Sequence, residues 1–343
     1  HEGSSSERST MPPRLMSIVA GIGFLATACA ASSATAETPA TTAVPTTTTT
    51  QSLSTTTSST PTSTLALADD GGFPVTITTA SGPVTIEERP DRIVSLSPTS
   101  TEVLFAIDAG DQVVAVDNQS NYPAEAPVTD LTGFEPNLEA IAGYGADLVI
   151  LMYDPGEAVA GLEALGIPVI LHPAAWTLDD AYHQIEQVGA ATGHVQEAAD
   201  LVESMRTSIN HITRAVDAEG ATYYHELSPD FYTATSETFI GSLYEMLGLA
   251  SIADQADPDG YGYPQLSAEH ILAMDPSLIF LADTRCCAQT AETIAERPGW
   301  EVLSAVQGGA ITELDDDIAS RWGPRVVELV ETIAAAIGGE WIE

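Results

Sequence analysis

The sequence predicts an α/β protein of two Rossmann-like lobes joined by a single long helix, with a ligand cleft between the lobes. Three observations carry this. A stretch is written twice, NLEAIAGYGADLVIL at 137–151 and SAEHILAMDPSLIFL at 267–281. At an offset of 130, Asn137 meets Ser267, Glu139 meets Glu269, Ile141 meets Ile271, and Leu148 and Leu151 meet Leu278 and Leu281. Each copy reads as an N-cap, a short helix with Glu in its first turn, and a buried strand. Around the copies, apolar strand-like runs alternate with helical patterns, as a parallel sheet covered on both faces requires. Between the copies, residues 178–217 look helical almost throughout, and their position makes them the natural connector.

The elements follow in order. FPVTITTASGPVTIEERP (73–90) alternates apolar and polar residues around Ala80-Ser81-Gly82 and reads as a hairpin. RIVSLSP (92–98) is a buried strand, followed by a helix with Val103, Leu104 and Ile107 on one face. QVVAVD (112–117), DLVIL (147–151) and IPVIL (167–171) are further strands, the last two separated by a helix around Ala158–Leu165. Gly189 and Gly193 divide the helical region, and its second part runs from about Val195 to Val216 without a strong breaker. The second lobe comprises a strand at 221–227, a helix at Phe239–Leu247, the repeat copy, a helix near Ala291, a strand at 310–314 and a C-terminal helix from Pro324. The expected divisions are an N-terminal lobe at 73–194, a connecting helix at 195–217 and a C-terminal lobe at 218–343. A folded part of this length is too large for one comfortable core and suits two domains.

The segment before residue 73 reads as an address. The first ten residues are set aside from the fold. From Met11, Arg14 supplies a positive start, and Leu15–Ala28 is an apolar run too short to span a bilayer, which needs about 20 residues. Ala26-Thr27-Ala28-Cys29 places small residues before a cysteine and resembles a bacterial lipoprotein processing site, with Cys29 as the lipidated residue. The other reading is an ordinary secretory signal with an incidental cysteine. Residues 1–29 are therefore taken as an extension plus lipoprotein signal. Residues 30–72 are dominated by Thr, Ser, Ala and Pro and cannot bury enough apolar surface to offset their ordering entropy. They read as a disordered tether spanning on the order of 35 Å. The expected location is the outer face of a bacterial cytoplasmic membrane, with the protein held there by its lipid.

Charge narrows the function. The net charge is −39, and all ten basic residues are arginine. Nucleic-acid binding needs a basic footprint and is excluded. Strongly anionic ligands are disfavoured unless the few arginines converge. Of three cysteines, Cys286 and Cys287 are adjacent. They form a vicinal disulfide or remain thiols, and their spacing does not suit zinc. No metal site and no cofactor are expected, because no convergent ligand set is visible.

Beyond these residue-level readings, RIVSLSPTSTEVLFAI, NYP, NLEAIAGYGADLVIL, LGIPVIL, YPQLSAEHIL, SLIFL, RPGW and GPRVVEL, in this order and spacing, resemble the cobalamin and ferric-siderophore class of ABC-importer substrate-binding proteins. The likeness covers 73–343. It implies two α/β lobes bridged by one rather rigid helix, a chelate bound between them, and delivery to a two-fold permease driven by cytoplasmic ATPases. It implies a monomeric binding protein and no enzyme. It also implies that Glu139 and Glu269, one per lobe, pair with permease arginines. Without it, an acid in a helix's first turn simply complements the helix dipole.

In parallel α/β sheets ligands sit beyond the carboxyl ends of strands. In the first lobe this selects Ser97, Pro98, Thr99, the Asn118–Tyr122 loop with Tyr122, Phe134, Tyr153 and Trp176. In the second it selects Ser228–Tyr232 with Tyr232, Tyr261-Gly262-Tyr263, Arg285 beside the cysteines, and Asp317–Trp322 with Asp317, Arg321 and Trp322. Aromatic faces with a few polar anchors grip large flat ligands. Tyr263, Tyr122 and Arg321 stand in family-like motifs. His183, His194 and His211 are expected at the surface, whereas His172 and His225 end strands and approach the cleft. Asp315-Asp316-Asp317 reads as a solvated loop with one member touching ligand. Asn118-Gln119-Ser120 matches an N-glycosylation triplet and is taken as incidental.

Two other classes compete with this one. A secreted α/β hydrolase would need a G-x-S-x-G elbow, which the sequence lacks. A surface lipoprotein relaying haem or another metal chelate without a permease would keep the fold but need no paired docking acids. No Walker-type phosphate loop is present either. A neutral or weakly charged chelate, either a corrinoid or a ferric hydroxamate, fits the charge best.

Overall fold

The computed structural model describes residues 72–216 and 218–338. Cys29, the signal-like segment and the tether through residue 71 lie outside the described residues. The described part begins with an antiparallel hairpin, β1 (Val75–Thr79) and β2 (Gly82–Ile86), turning at Ala80-Ser81 as its alternation predicts. The first lobe continues with β3 (Ile93–Leu96), α1 (Pro98–Ala106), β4 (Val113–Val116), α2 (Leu138–Gly143), β5 (Leu148–Leu151), α3 (Ala158–Ala164) and β6 (Val169–Leu171). Two long helices follow, α4 (Leu178–Thr192) and α5 (Val195–Ala215). The second lobe contains β7 (Thr222–Glu226), α6 (Phe239–Met246), β8 (Ala250–Ser251), α7 (Ala268–Met274), β9 (Leu278–Leu281) and α8 (Thr284–Cys287). It closes with α9 (Ala291–Ala295), α10 (Ser304–Gly308), β10 (Ile311–Glu313), α11 (Asp316–Ala319) and α12 (Val326–Ala336).

The repeat seen in the sequence is a repeat of topology. The first lobe's parallel sheet has the order β4-β3-β5-β6, and the second has β8-β7-β9-β10. The duplicated segment is α2–β5 in one lobe and α7–β9 in the other. Its N-caps behave alike: Asn137 accepts from the Ala140 N–H at 3.0 Å, and Ser267 from the His270 N–H at 3.2 Å. Ile141 and Ile271 are both fully buried.

Strand alternation distributes the core. Ile93, Leu148 and Ile150 of the first sheet, and Tyr223, Leu278 and Phe280 of the second, enter one apolar cluster that runs through both lobes. Ile185 and Val188 of α4, Val202, Met205, Ile209 and Ile212 of α5, and Leu329, Val330 and Ile333 of α12 fill the space between the sheets. The opposite faces have private cores. Val94, Val149 and Leu151 pack with Ile141 and Leu162, while Tyr224, Ile279 and Leu281 pack with Ile271 and Trp300. Each sheet is therefore covered on both faces, and a shared core ties the lobes together.

The helical connector differs from expectation in one detail. Gly193, at φ 80°, caps α4 in the left-handed region and turns the chain. Gly189 lies inside α4, where a Cβ would collide with the Ala198 Cβ. It therefore lets α4 and α5 approach closely and does not divide them. The C-terminal helix starts at Val326, after the short α11, and not at Pro324. The brief elements β8, α8, α10 and α11 carry no full helical or strand period and left no signal in the sequence.

Candidate functional site

The C-terminal ends of both parallel sheets open toward one region, and its base is a buried charge network between the lobes. Glu102 of α1 is 2% exposed. Arg321 donates to its Oε1 at 2.8 Å, while Arg325 donates to Oε2 at 2.9 Å and to Oε1 at 2.6 Å. Arg321, itself 8% exposed, also reaches the Gln119 carbonyl at 2.9 Å, Asn121 at 3.0 Å and Asp317 at 2.8 Å. Asn121 closes the circuit by donating to Asp317 at 2.9 Å. Trp322 donates from its indole N–H to Gln184 of α4 at 2.8 Å. The predicted residues Asp317, Arg321 and Trp322 thus converge, but their bonds run to the other lobe. Glu102 and Gln184 were missed. Glu102 had one signal: it is the only charged residue between Pro98 and Ile107.

Asp315-Asp316-Asp317 is a structured hub and not a solvated loop. Asp315 caps α11, accepting from the backbone N–H groups of Asp317 and Ile318. Asp316 accepts from the backbone N–H groups of Thr284, Arg285 and Cys286 at 2.8–3.0 Å and from the Thr284 hydroxyl. Burial works against its charge, but these hydrogen bonds hold its carboxyl below the usual range. Arg285 pairs with Asp317 at 2.6 Å and with Asp315 at 3.4 Å.

The remaining aromatic candidates are exposed. Phe134 and Tyr153 stack with centroids 5.6 Å apart, 61% and 45% exposed. Gly133 permits this arrangement, since a Cβ there would lie 2.7 Å from the Leu96 carbonyl oxygen at the end of β3. Tyr122 lies under the Arg325 guanidinium at 4.1 Å. Burial pushes the Tyr263 phenol up, a hydrogen bond with Thr238 opposes this, and the Tyr153 phenol of the other lobe adds to it. Trp176 and Tyr232 are also exposed. Ser97 and Thr99 are buried, with Ser97 capping α1 and Thr99 lying against Gly323; Pro98 is half-buried at the first position of α1.

The histidines are placed by their partners. His172 is buried against Gln187 at 2.8 Å, and His225 is buried against the Tyr244 hydroxyl at 2.8 Å. Desolvation lowers each to about 4, so both are neutral near pH 7. His194 is half-buried and bonded to Arg89 at 2.9 Å rather than free at the surface. In the glycosylation-like triplet, Ser120 is fully buried and donates to Asp117 at 2.7 Å. Behind the second sheet, Arg297 donates twice to buried Glu226 at 2.6 Å. Burial and the Glu226 charge push neighbouring Asp283 up to about 7. Among the described residues no group of His, Cys, Asp and Glu is arranged to hold a metal ion, and no helix is long and apolar enough to cross a membrane.

Glu139 and Glu269 are exposed in the first turns of α2 and α7, at equivalent points of the two lobes. A hydrogen bond from its own backbone N–H, then one from Ser267, holds the Glu269 carboxyl below its usual range.

Two like α/β lobes connected through α4 and α5, with exposed aromatics beyond the strand ends, have the build of a solute-binding protein of the kind that serves an importer. The pattern of the periplasmic binding protein family matches residues 93–318, and the chain belongs to that family. An uncharacterized ABC transporter substrate-binding lipoprotein of Bacillus subtilis is 34% identical, over 77% of this chain and 86% of its own. A cobalamin-binding protein of Halobacterium salinarum is 30% identical, over 77% of this chain and 74% of its own. The crystal structure of the periplasmic vitamin B12 binding protein of Vibrio cholerae superposes with a TM-score of 0.59 at 25% identity, covering 72% of this chain and 96% of that one. This protein is thus a substrate-binding protein of the ABC transporter kind.

Proposed function

We propose that this chain captures a neutral or weakly charged metal chelate, a cobalamin-type corrinoid or a ferric hydroxamate, and hands it to an ABC permease dimer with cytoplasmic ATPases. One observation carries the choice of ligand: each arginine at the cleft is already committed to a carboxylate. Arg285 pairs with Asp317 and Asp315, Arg321 with Glu102 and Asp317, and Arg325 with Glu102. No cleft guanidinium is left over for a highly anionic catecholate complex, whose capture would require breaking a buried pair. The exposed faces of Phe134, Tyr153 and Tyr263 supply what a large flat ligand needs. The names of the cobalamin-binding relatives agree with this reading.

Titration against cyanocobalamin, ferrioxamine B and a ferric catecholate, followed by intrinsic fluorescence, tests the assignment. One of the first two should bind with micromolar or better affinity. Tyr263→Ala should weaken that binding at least tenfold, equivalent to about 1.4 kcal/mol. Small-angle scattering should show little change in radius on binding, because the continuous core between the lobes has no soft hinge. Preference for the catecholate, or for a free metal ion or sugar, would overturn the ligand assignment.

The protein works from the outer face of the cytoplasmic membrane, anchored through Cys29. Multiple acyl chains hold a protein firmly where a single one holds marginally. Cys29→Ser should therefore appear in the medium or persist unprocessed in the expressing bacterium. Unchanged membrane retention of mature protein on fractionation would remove the lipid anchor from this account.

A further inference from the structure

Resting on the chelate-binding function proposed above, we infer that the Cys286–Cys287 disulfide is a ligand-contacting surface, the second lobe's apolar lip against the face or edge of a macrocyclic chelate. The two cysteines are bonded to each other within α8. The offset of 130 that relates the lobes superimposes Cys286 and Cys287 on Gly156 and Glu157, in the turn that follows β5. In the first lobe that turn stands beside the stacked pair of Phe134 and Tyr153 and borders a groove of about 370 Å³. In the second lobe the same place is taken by two sulfurs. Cys286 is exposed and Cys287 half-buried.

The pair lies next to the inter-lobe hydrogen-bond network and is held there. Arg285, next to it in the chain, bonds to Asp317 at 2.6 Å, and Asp317 accepts from Asn121 of the first lobe at 2.9 Å. The segment therefore lies within two hydrogen bonds of the opposite lobe. The Asp316 carboxylate fixes its backbone through three successive N–H groups, those of Thr284, Arg285 and Cys286. On the far side Ala288 turns away in the left-handed region at φ 55°. A surface fixed before binding loses little entropy when a ligand arrives. Sulfur is polarizable and favours contact with conjugated rings, and a disulfide carries no charge to desolvate. Those are the properties that a neutral, flat ligand requires of a lip otherwise crowded with aspartates.

The test compares wild type with Cys286→Ala/Cys287→Ala, using cyanocobalamin and ferrioxamine B as probes in isothermal titration. The double variant should bind cyanocobalamin, whose corrin supplies the conjugated ring, about fivefold or more weakly, in the range expected from lost sulfur–ring contacts, and binding of ferrioxamine B alone, which has no ring to meet the sulfurs, overturns the inference. Wild type reduced by a phosphine, which takes its oxygen from water and leaves two thiols, should show a loss in the same direction after desalting. The variant should not respond to the phosphine. Hydrogen exchange at the amides of 284–286 separates contact from support, since those amides should stay protected in both proteins. Equal affinity of wild type and variant overturns the inference, as does loss of that protection. If wild type binds neither probe, the chelate-binding function itself fails, and this inference with it; binding by wild type with no effect of the variant refutes this inference alone. Should the variant not fold, the phosphine titration of folded wild type decides by itself.

Discussion

Glu102→Ala should be the most destabilising single change in the protein outside its apolar cores. Glu102 is buried and takes bonds from two arginines that belong to the other lobe. Removing it leaves Arg321 and Arg325 facing each other with their side chains 8% and 12% exposed. Arg321 keeps Asp317 and Asn121, but Arg325 loses both bonds to Glu102. Breaking a buried pair from one side costs about 3–5 kcal/mol, because the remaining charge has no water to return to. For a protein of this size that corresponds to a fall in Tm on the order of 10 °C. Glu102→Gln keeps the shape and loses the charge, and it should lie between Ala and wild type. The shared apolar core should keep the lobes together, so the loss should appear as faster amide exchange in α1 and around α11 rather than as separation. A melting temperature within about 2 °C of wild type, with exchange unchanged, would show that the network is incidental to the lobe arrangement.

The same network marks where the sequence stops being legible. The two lobes were readable because a repeat and a strand period are local patterns: Leu148, Ile150, Leu278 and Phe280 announce their burial by spacing alone. The exposed Glu139 and Glu269 were visible as a matched pair for the same reason. Glu102 lies more than 200 positions from Arg321 and Arg325 and shares no period with them, and their pairing exists only after the lobes have assembled. An acid inside an otherwise uncharged helical stretch was the available clue. The aspartate run misled for the complementary reason. Consecutive charges usually mean a solvated loop, yet Asp316 is bonded to a backbone segment about thirty residues away, and Asp317 to both lobes. Gly189 was read as a breaker because composition cannot distinguish a glycine that ends a helix from one that lets two helices touch.

The second large effect concerns delivery. Glu139→Arg combined with Glu269→Arg should leave chelate affinity unchanged and reduce uptake roughly 100-fold or to background. Both side chains are exposed, both stand in the first turn of a helix, and the two helices are the duplicated elements of the two lobes. If the permease of the proposed function presents one basic pocket twice through its two-fold symmetry, a receptor with one acid per lobe fills both. The double reversal places like charges in both pockets while touching none of the cleft aromatics. Each single reversal should retain partial uptake, because one contact survives, and Glu139→Gln with Glu269→Gln should fall between wild type and the reversal. The uptake of wild-type protein should also weaken as salt rises, since exposed charge pairs are screened over about 10 Å at 0.1 M. The measurement is transport of the preferred chelate into proteoliposomes carrying the permease and ATPases, with affinity measured in parallel on the isolated protein. Uptake by the double reversal at the wild-type rate would reject the paired glutamates as docking points. A loss of uptake matched by an equal loss of chelate affinity would place the two residues in the cleft's service instead.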